Sequence, residues 1–148
     1  MKKVLSILLL LAMILTLCAC GHKKTTCKEF VSLMQSKGYA VEQMNDAPEG
    51  GEGYKAHNED DTFVLYFYET GKEVYAYNAF YNDLDEFESM GGGGSSTRST
   101  SESFGYASRR TGDVFKVSSY IESTYLSGYT TPDQADAMKE IFKELGYN

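Results

Sequence analysis

Cysteine is the residue type whose position in this sequence most clearly predicts a chemical reaction. Cys20 ends the stretch Leu17-Cys18-Ala19-Cys20, which follows an apolar run from Val4 to Leu17 and a short basic start at Lys2 and Lys3. The run has the length of the hydrophobic region of a secretory signal peptide, and it is shorter than the roughly 20 apolar residues that a transmembrane helix needs. The sequence therefore predicts export, with a thiol at the point where the signal ends.

The stretch Leu17-Cys18-Ala19-Cys20 resembles the lipobox of bacterial lipoproteins. In that family the cysteine thiol receives a diacylglyceryl group, and a dedicated signal peptidase cuts just before the cysteine. The resemblance implies a signal peptide over residues 1–19, a lipidated tether over residues 20–25, and a lipid anchor on Cys20 that holds the protein at the extracytoplasmic face of the cell membrane. In architecture the chain is similar to small uncharacterised lipoproteins of Gram-positive cell surfaces, a resemblance that carries no known activity.

The charge of the chain excludes one class of partner. Without residues 1–19, twelve basic residues face 21 acidic ones, so the remaining chain carries a net charge near −9. A chain of this charge repels nucleic acid and anionic lipid headgroups, so we predict no nucleic-acid partner. Attachment to the membrane must then come from the acyl chains on Cys20, since each buried methylene contributes about 0.8 kcal/mol.

The cysteine count predicts a fold without disulfides. Cys18 leaves with the signal peptide and Cys20 becomes a thioether, which leaves Cys27 without an internal partner. Cys27 lies on the apolar stripe of a predicted helix, where a cysteine acts as a small buried hydrophobe. Twelve tyrosines and eight phenylalanines, with no tryptophan, must supply much of the core.

The remaining sequence predicts one α+β domain over residues 26–148, with three helices packed on a largely antiparallel sheet of about five strands. Helices are predicted where apolar residues recur every three or four positions after a capping sequence such as Thr26-Cys27-Lys28-Glu29 or Thr70-Gly71-Lys72-Glu73. Strands are predicted where β-branched and aromatic residues cluster, most strongly over Thr62 to Tyr68. The segment 91–102 is low in complexity and is predicted to form a flexible loop within the domain.

The residue types that usually perform catalysis do not form a recognisable motif. His57 is the only histidine predicted to lie in the domain, and the acidic turn Asn58-Glu59-Asp60-Asp61 follows it. No nucleophile motif accompanies this histidine, so we do not predict an enzyme. Carboxylates adjacent in a turn are usually solvated, and Asp83, Asp85 and Glu86 are predicted to face solvent on a helix without the turn glycine of a calcium loop. We therefore predict no metal site and no cofactor.

The two faces of the predicted strand Thr62 to Tyr68 lead to a functional hypothesis. Both faces are apolar, so Val64, Tyr66 and Tyr68 form an open partner-binding face if all three helices lie on the opposite side. If one helix crosses to their side, the same rings become core. Tyrosine serves equally as a core aromatic in a domain without tryptophan, or as a rigid amphipathic contact for proteins and sugars.

The predicted function is therefore a binding or interaction module for a protein or a cell-envelope glycan. The alternative is a structural or accessory subunit of an envelope complex.

Overall fold

A seven-stranded antiparallel sheet organises the part of the chain that the computed structural model describes, residues 22–48, 50–91 and 93–148. The strands lie in the order β1-β2-β3-β7-β6-β5-β4, and every neighbouring pair is antiparallel. The strands are β1 Ala40–Met44, β2 Glu52–His57, β3 Phe63–Glu69, β4 Ser95–Thr100, β5 Phe104–Arg110, β6 Phe115–Ile121 and β7 Thr124–Thr130. The helices are α1 Cys27–Ser36, α2 Glu73–Ser89 and α3 Ala135–Glu144, the last preceded by a short 3₁₀ turn at Pro132–Gln134.

The structure confirms the α+β class and the antiparallel sheet, but the predicted number of about five strands is wrong. One of the additional strands, β4, lies inside segment 91–102, which the sequence predicts to be a flexible loop throughout. All six residues of β4 are exposed, and the strand pairs with β5 at the edge of the sheet. Backbone hydrogen bonds to β5, rather than burial of side chains, hold this strand in place. Its Ser/Thr-rich sequence therefore lacks the alternating apolar residues from which a strand is predicted.

The three helices divide between the two faces of the sheet. Helices α1 and α3 pack on the face that carries Phe63, Leu65 and Phe67, which we call the first face. Helix α2 packs on the second face, against Tyr120 and Tyr125. One helix thus crosses to the side of Val64, Tyr66 and Tyr68, and the sheet has a core on each side.

Local sequence signals for the helix ends are confirmed at α1 and wrong at α2. At α1 the Glu29 amide donates to the Thr26 hydroxyl at 3.2 Å and the Thr26 amide donates to the Glu29 carboxylate at 2.9 Å, which is the predicted capping box. At α2 the cap is Lys72, without a side-chain hydrogen bond. The Thr70 hydroxyl instead donates to the carbonyl oxygen of Ser123 at 2.7 Å. This hydrogen bond joins the end of β3 to the β6–β7 turn.

The segment that precedes α1 is packed against the domain. The Thr25 hydroxyl donates to the carbonyl oxygen of Leu145 at 2.7 Å, and Lys24 donates to the Ser123 hydroxyl at 2.8 Å. The His22 ring stacks on Phe104 with 3.5 Å between ring centroids. The predicted signal peptide 1–19 and Cys20 lie outside the described residues. No helix within the described ranges is long and apolar enough to cross a membrane.

Cys27 is buried, as the sequence predicts, and only 5% of its surface is exposed. Burial, reinforced by the charge of Glu69, raises the pKa of the Cys27 thiol to about 12. The thiol therefore stays protonated at neutral pH, and thiolate is the form that reacts.

We expect the melting temperature of the purified chain to be the same with and without a reductant. Cys27 is a free thiol and no internal disulfide is predicted, so a reductant has no internal bridge to cleave. Thermal unfolding in matched buffers measures this. A fall of more than about 2 °C on reduction would indicate a disulfide-linked dimer through Cys27.

Candidate binding groove

Helix α2 covers only part of the second face and leaves a groove beside it. The groove has a volume of about 550 Å³ and lies between α2 and the strands β3, β7 and β6, with Asp46 and Pro48 of the β1–β2 loop at its margin. Five tyrosines line it, and they are Tyr66, Tyr68, Tyr75, Tyr125 and Tyr129. We call this cavity the tyrosine groove.

The structure places two of the three residues predicted to form a partner face in the tyrosine groove. Tyr66 and Tyr68 are both half-buried and both line it. Val64 is fully buried, with 0% of its surface exposed, so its inclusion in the predicted face is wrong. Val64 is therefore a core residue, whereas both tyrosines remain accessible from the groove.

Tyr68 is held in place by a glycine of β2 and a methionine of β1. A Cβ atom on Gly53 would lie 2.8 Å from the Tyr68 ring, so the ring packs directly over this glycine. The Tyr68 hydroxyl donates to the sulfur of Met44 at 3.7 Å. Burial, together with the charge of Asp46, raises the pKa of Tyr68 to about 12, so the phenol stays neutral and can donate a hydrogen bond.

Asp83 is the most unusual residue of the groove. The sequence predicts it to face solvent, but the structure places it half-buried on the inner side of α2, where the Tyr125 hydroxyl donates to its carboxylate. Burial raises the pKa of Asp83, although the hydroxyls of Ser118 and Tyr125 act in the opposite direction by favouring the carboxylate. Within the described ranges no lysine, arginine or histidine forms an ion pair with this carboxylate.

The remaining charged residues of the groove include one ion pair. Lys116 of β6 pairs with Glu86 of α2, which joins the helix to the sheet next to the groove. Asp46 lies on the opposite margin and is exposed. Lys116, the only cationic side chain among the described residues that line the groove, is therefore already paired with a carboxylate.

The only domain histidine, His57, lies outside the groove. Its Nδ1 atom is 2.9 Å from the Asp61 carboxylate and 3.0 Å from the carbonyl oxygen of Asn58. No group of three histidine, cysteine or acidic residues suited to a metal ion occurs among the described residues. His57 therefore contributes to a surface turn rather than to the cavity.

The chemistry of the groove suits reversible binding. Phenol hydroxyls and ring surfaces can contact a ligand, and the carboxylate of Asp83 can accept hydrogen bonds from it. Among the residues that the structure describes, no histidine or cysteine lines the cavity. No family model matches the chain, and no curated protein or solved structure does either.

The sequence alone does not predict Tyr75, Tyr125, Tyr129 and Asp83 as groove residues. A signal for Asp83 was present, since it lies three residues after Phe80 and four before Phe87, both of which are buried on α2. An acidic residue at this spacing falls on the inner side of a helix. Tyr125 and Tyr129 carry no such signal, because their place beside Tyr66 and Tyr68 depends on how β3 and β7 pair.

Proposed function

We propose that this protein is a membrane-anchored extracytoplasmic lipoprotein whose domain, residues 26–148, is a binding module for a cell-envelope ligand. The observation that carries the proposal is the tyrosine groove, whose volume of about 550 Å³ falls in the range of small-molecule sites. Rigid amphipathic rings in a concave surface are the usual basis of such recognition. The ligand contacts Tyr66 and Tyr68 in this proposal.

The packing of the chain after Cys20 supports a location close to the membrane surface. His22, Lys24 and Thr25 all contact the body of the domain. With Cys20 lipidated, only Gly21 separates the anchor from this packed segment. The domain would then be held next to the bilayer rather than on a long tether.

A second candidate function, a structural or accessory subunit of an envelope complex, is favoured by the edge strand β4. This strand pairs with β5 on one side only, and all six of its residues are exposed. An exposed edge can accept a strand from another protein by backbone hydrogen bonds. Stable co-purification that does not depend on groove residues would favour this candidate over the first.

We expect Tyr66→Ala to weaken binding of the protein to isolated cell envelopes by about tenfold or more. The substitution removes a ring from the groove, and truncation of an aromatic hot spot at a binding site costs about 2 kcal/mol or more. A saturation binding curve with fluorescently labelled protein measures the change. The same samples should show only a small change in melting temperature.

Tyr77→Ala is the matched control for this experiment. Tyr77 is also a tyrosine, but it is 43% exposed on α2 and does not line the groove. Its substitution should leave envelope binding unchanged. Equal binding by the Tyr66 variant and the unsubstituted protein would contradict the proposed function.

A further inference from the structure

The charges of the tyrosine groove point to a particular class of ligand. We propose that the groove selects a small organic cation, an ammonium group on an apolar body, with Asp83 as the counter-ion and tyrosine rings as the walls. This inference rests on the proposed function, because it assumes that the groove is a ligand site.

The residues around the cavity carry an excess of negative charge. Three carboxylates line the groove, those of Asp46, Asp83 and Glu86, against the single ammonium of Lys116. Since Lys116 pairs with Glu86, the two unpaired charges that a ligand can contact are the carboxylates of Asp46 and Asp83, and both are negative. A cavity of this charge attracts cations and repels anions.

The half-buried carboxylate of Asp83 has no cationic partner among the described residues. Taking a carboxylate out of water costs free energy unless a cation or several hydrogen-bond donors replace the lost hydration. The Tyr125 hydroxyl donates to this carboxylate and the Ser118 hydroxyl also favours its charged form, but none of the described residues supplies a cation at ion-pair distance. An ammonium group of the ligand would supply the charge that the protein does not.

Aromatic side chains form much of the wall around Asp83. The rings of Tyr68 and Tyr125 lie 6.1 Å apart between centroids, and Phe87 lines the same cavity. Aromatic rings attract cations through their quadrupole, and more strongly where water is displaced. Phenyl and phenol surfaces also pack against an apolar body, so the ligand should carry both features.

Three probes of one shape and different charge test this proposal: benzylammonium, benzyl alcohol and benzoate. Equilibrium dialysis of the mature full-length protein in a nonionic detergent, against the same detergent, gives each dissociation constant. We expect benzylammonium to bind about tenfold more tightly than benzyl alcohol, because a charge-assisted hydrogen bond is stronger than a neutral one. Benzoate should bind most weakly.

Two isosteric variants assign the selectivity to one residue. In Asp83→Asn, benzylammonium should bind no more tightly than benzyl alcohol. Asp85→Asn makes the same change in net charge at an exposed position of the same helix, outside the groove. This control should retain the full difference between the two probes. If the Asp83 variant does not fold, the ranking of the three probes on the unsubstituted protein decides the question.

The outcomes separate this inference from the proposed function. Equal binding of benzylammonium and benzyl alcohol, both weakened by Tyr66→Ala, would overturn the selection of cations and leave the groove as a site for neutral ligands such as sugars. If the difference between benzylammonium and benzyl alcohol also disappears in Asp85→Asn, the preference for the cation comes from the net charge of the protein rather than from Asp83. That result would also overturn the inference. The proposed function itself fails only if envelope binding is independent of Tyr66.

Discussion

Replacing Phe67 with alanine should lower the free energy of unfolding by about 3–5 kcal/mol, the usual cost of deleting a large buried aromatic ring. Phe67 is 0% exposed at the centre of the first face. Its ring stacks on Phe30 of α1 with 5.0 Å between centroids, and it meets the edge of Tyr147 at 6.3 Å. Because domains of this size are typically stable by about 5–15 kcal/mol, the loss should be visible as a large fall in the urea midpoint.

Tyr66→Ala is the control for this measurement, since Tyr66 is the preceding residue on β3 and points to the opposite face. It is half-buried and lines the tyrosine groove, so its truncation should cost clearly less, about 1 kcal/mol. The two substitutions thus distinguish the core side of the strand from its ligand side. Comparable losses in both variants would mean that Tyr66 is a core residue.

Replacing Cys20 with alanine should block lipidation of the protein. The proposed anchor is a set of acyl chains on this thiol, and two long chains bind a bilayer firmly where one does not. Without the thiol the chain should remain as unprocessed precursor or be released. Metabolic labelling with a fatty acid, followed by membrane fractionation, measures both effects.

Cys18→Ala provides the matched control for the anchor. It removes another cysteine from the same stretch and should leave fatty-acid labelling and membrane attachment unchanged. If the Cys20 variant still incorporates label and stays with the membrane, the lipobox interpretation is wrong. The result of this experiment does not affect the proposal for the tyrosine groove, because all residues that line the groove lie well after Cys20 in the chain.

The sequence predicted those parts of the fold that depend on local patterns. The capping box of Thr26 and Glu29, the apolar periodicity of α1 and α3, and the aromatic density of β3 all indicated the elements that the structure contains. The edge strand β4 was missed, because its hydrogen bonds to β5 are not encoded in hydrophobicity. The division of helices between the two faces was also left open, since it depends on how the connections run.

The groove can be predicted only in part, because its shape depends on where the helices pack. Alternation along β3 placed Tyr66 and Tyr68 on the same face, but whether a helix covers that face is a property of the tertiary structure. Helix α2 lies on that face and leaves a cavity lined by Tyr66 and Tyr68, whereas Val64 is buried. Asp83 joins the site because the helix turns its inner side toward β7, where Tyr125 donates to it.

The central claim is that the tyrosine groove is where this domain meets its ligand, and NMR line broadening tests it most directly. Isotopically labelled protein is titrated with isolated envelope fragments, and the loss of signal is mapped onto the structure. The account predicts selective broadening at Tyr66, Tyr68 and Tyr129, with little change at the exposed Val74 and Tyr77 of α2. Broadening centred on Val74 and Tyr77, with the groove signals unaffected, would contradict it.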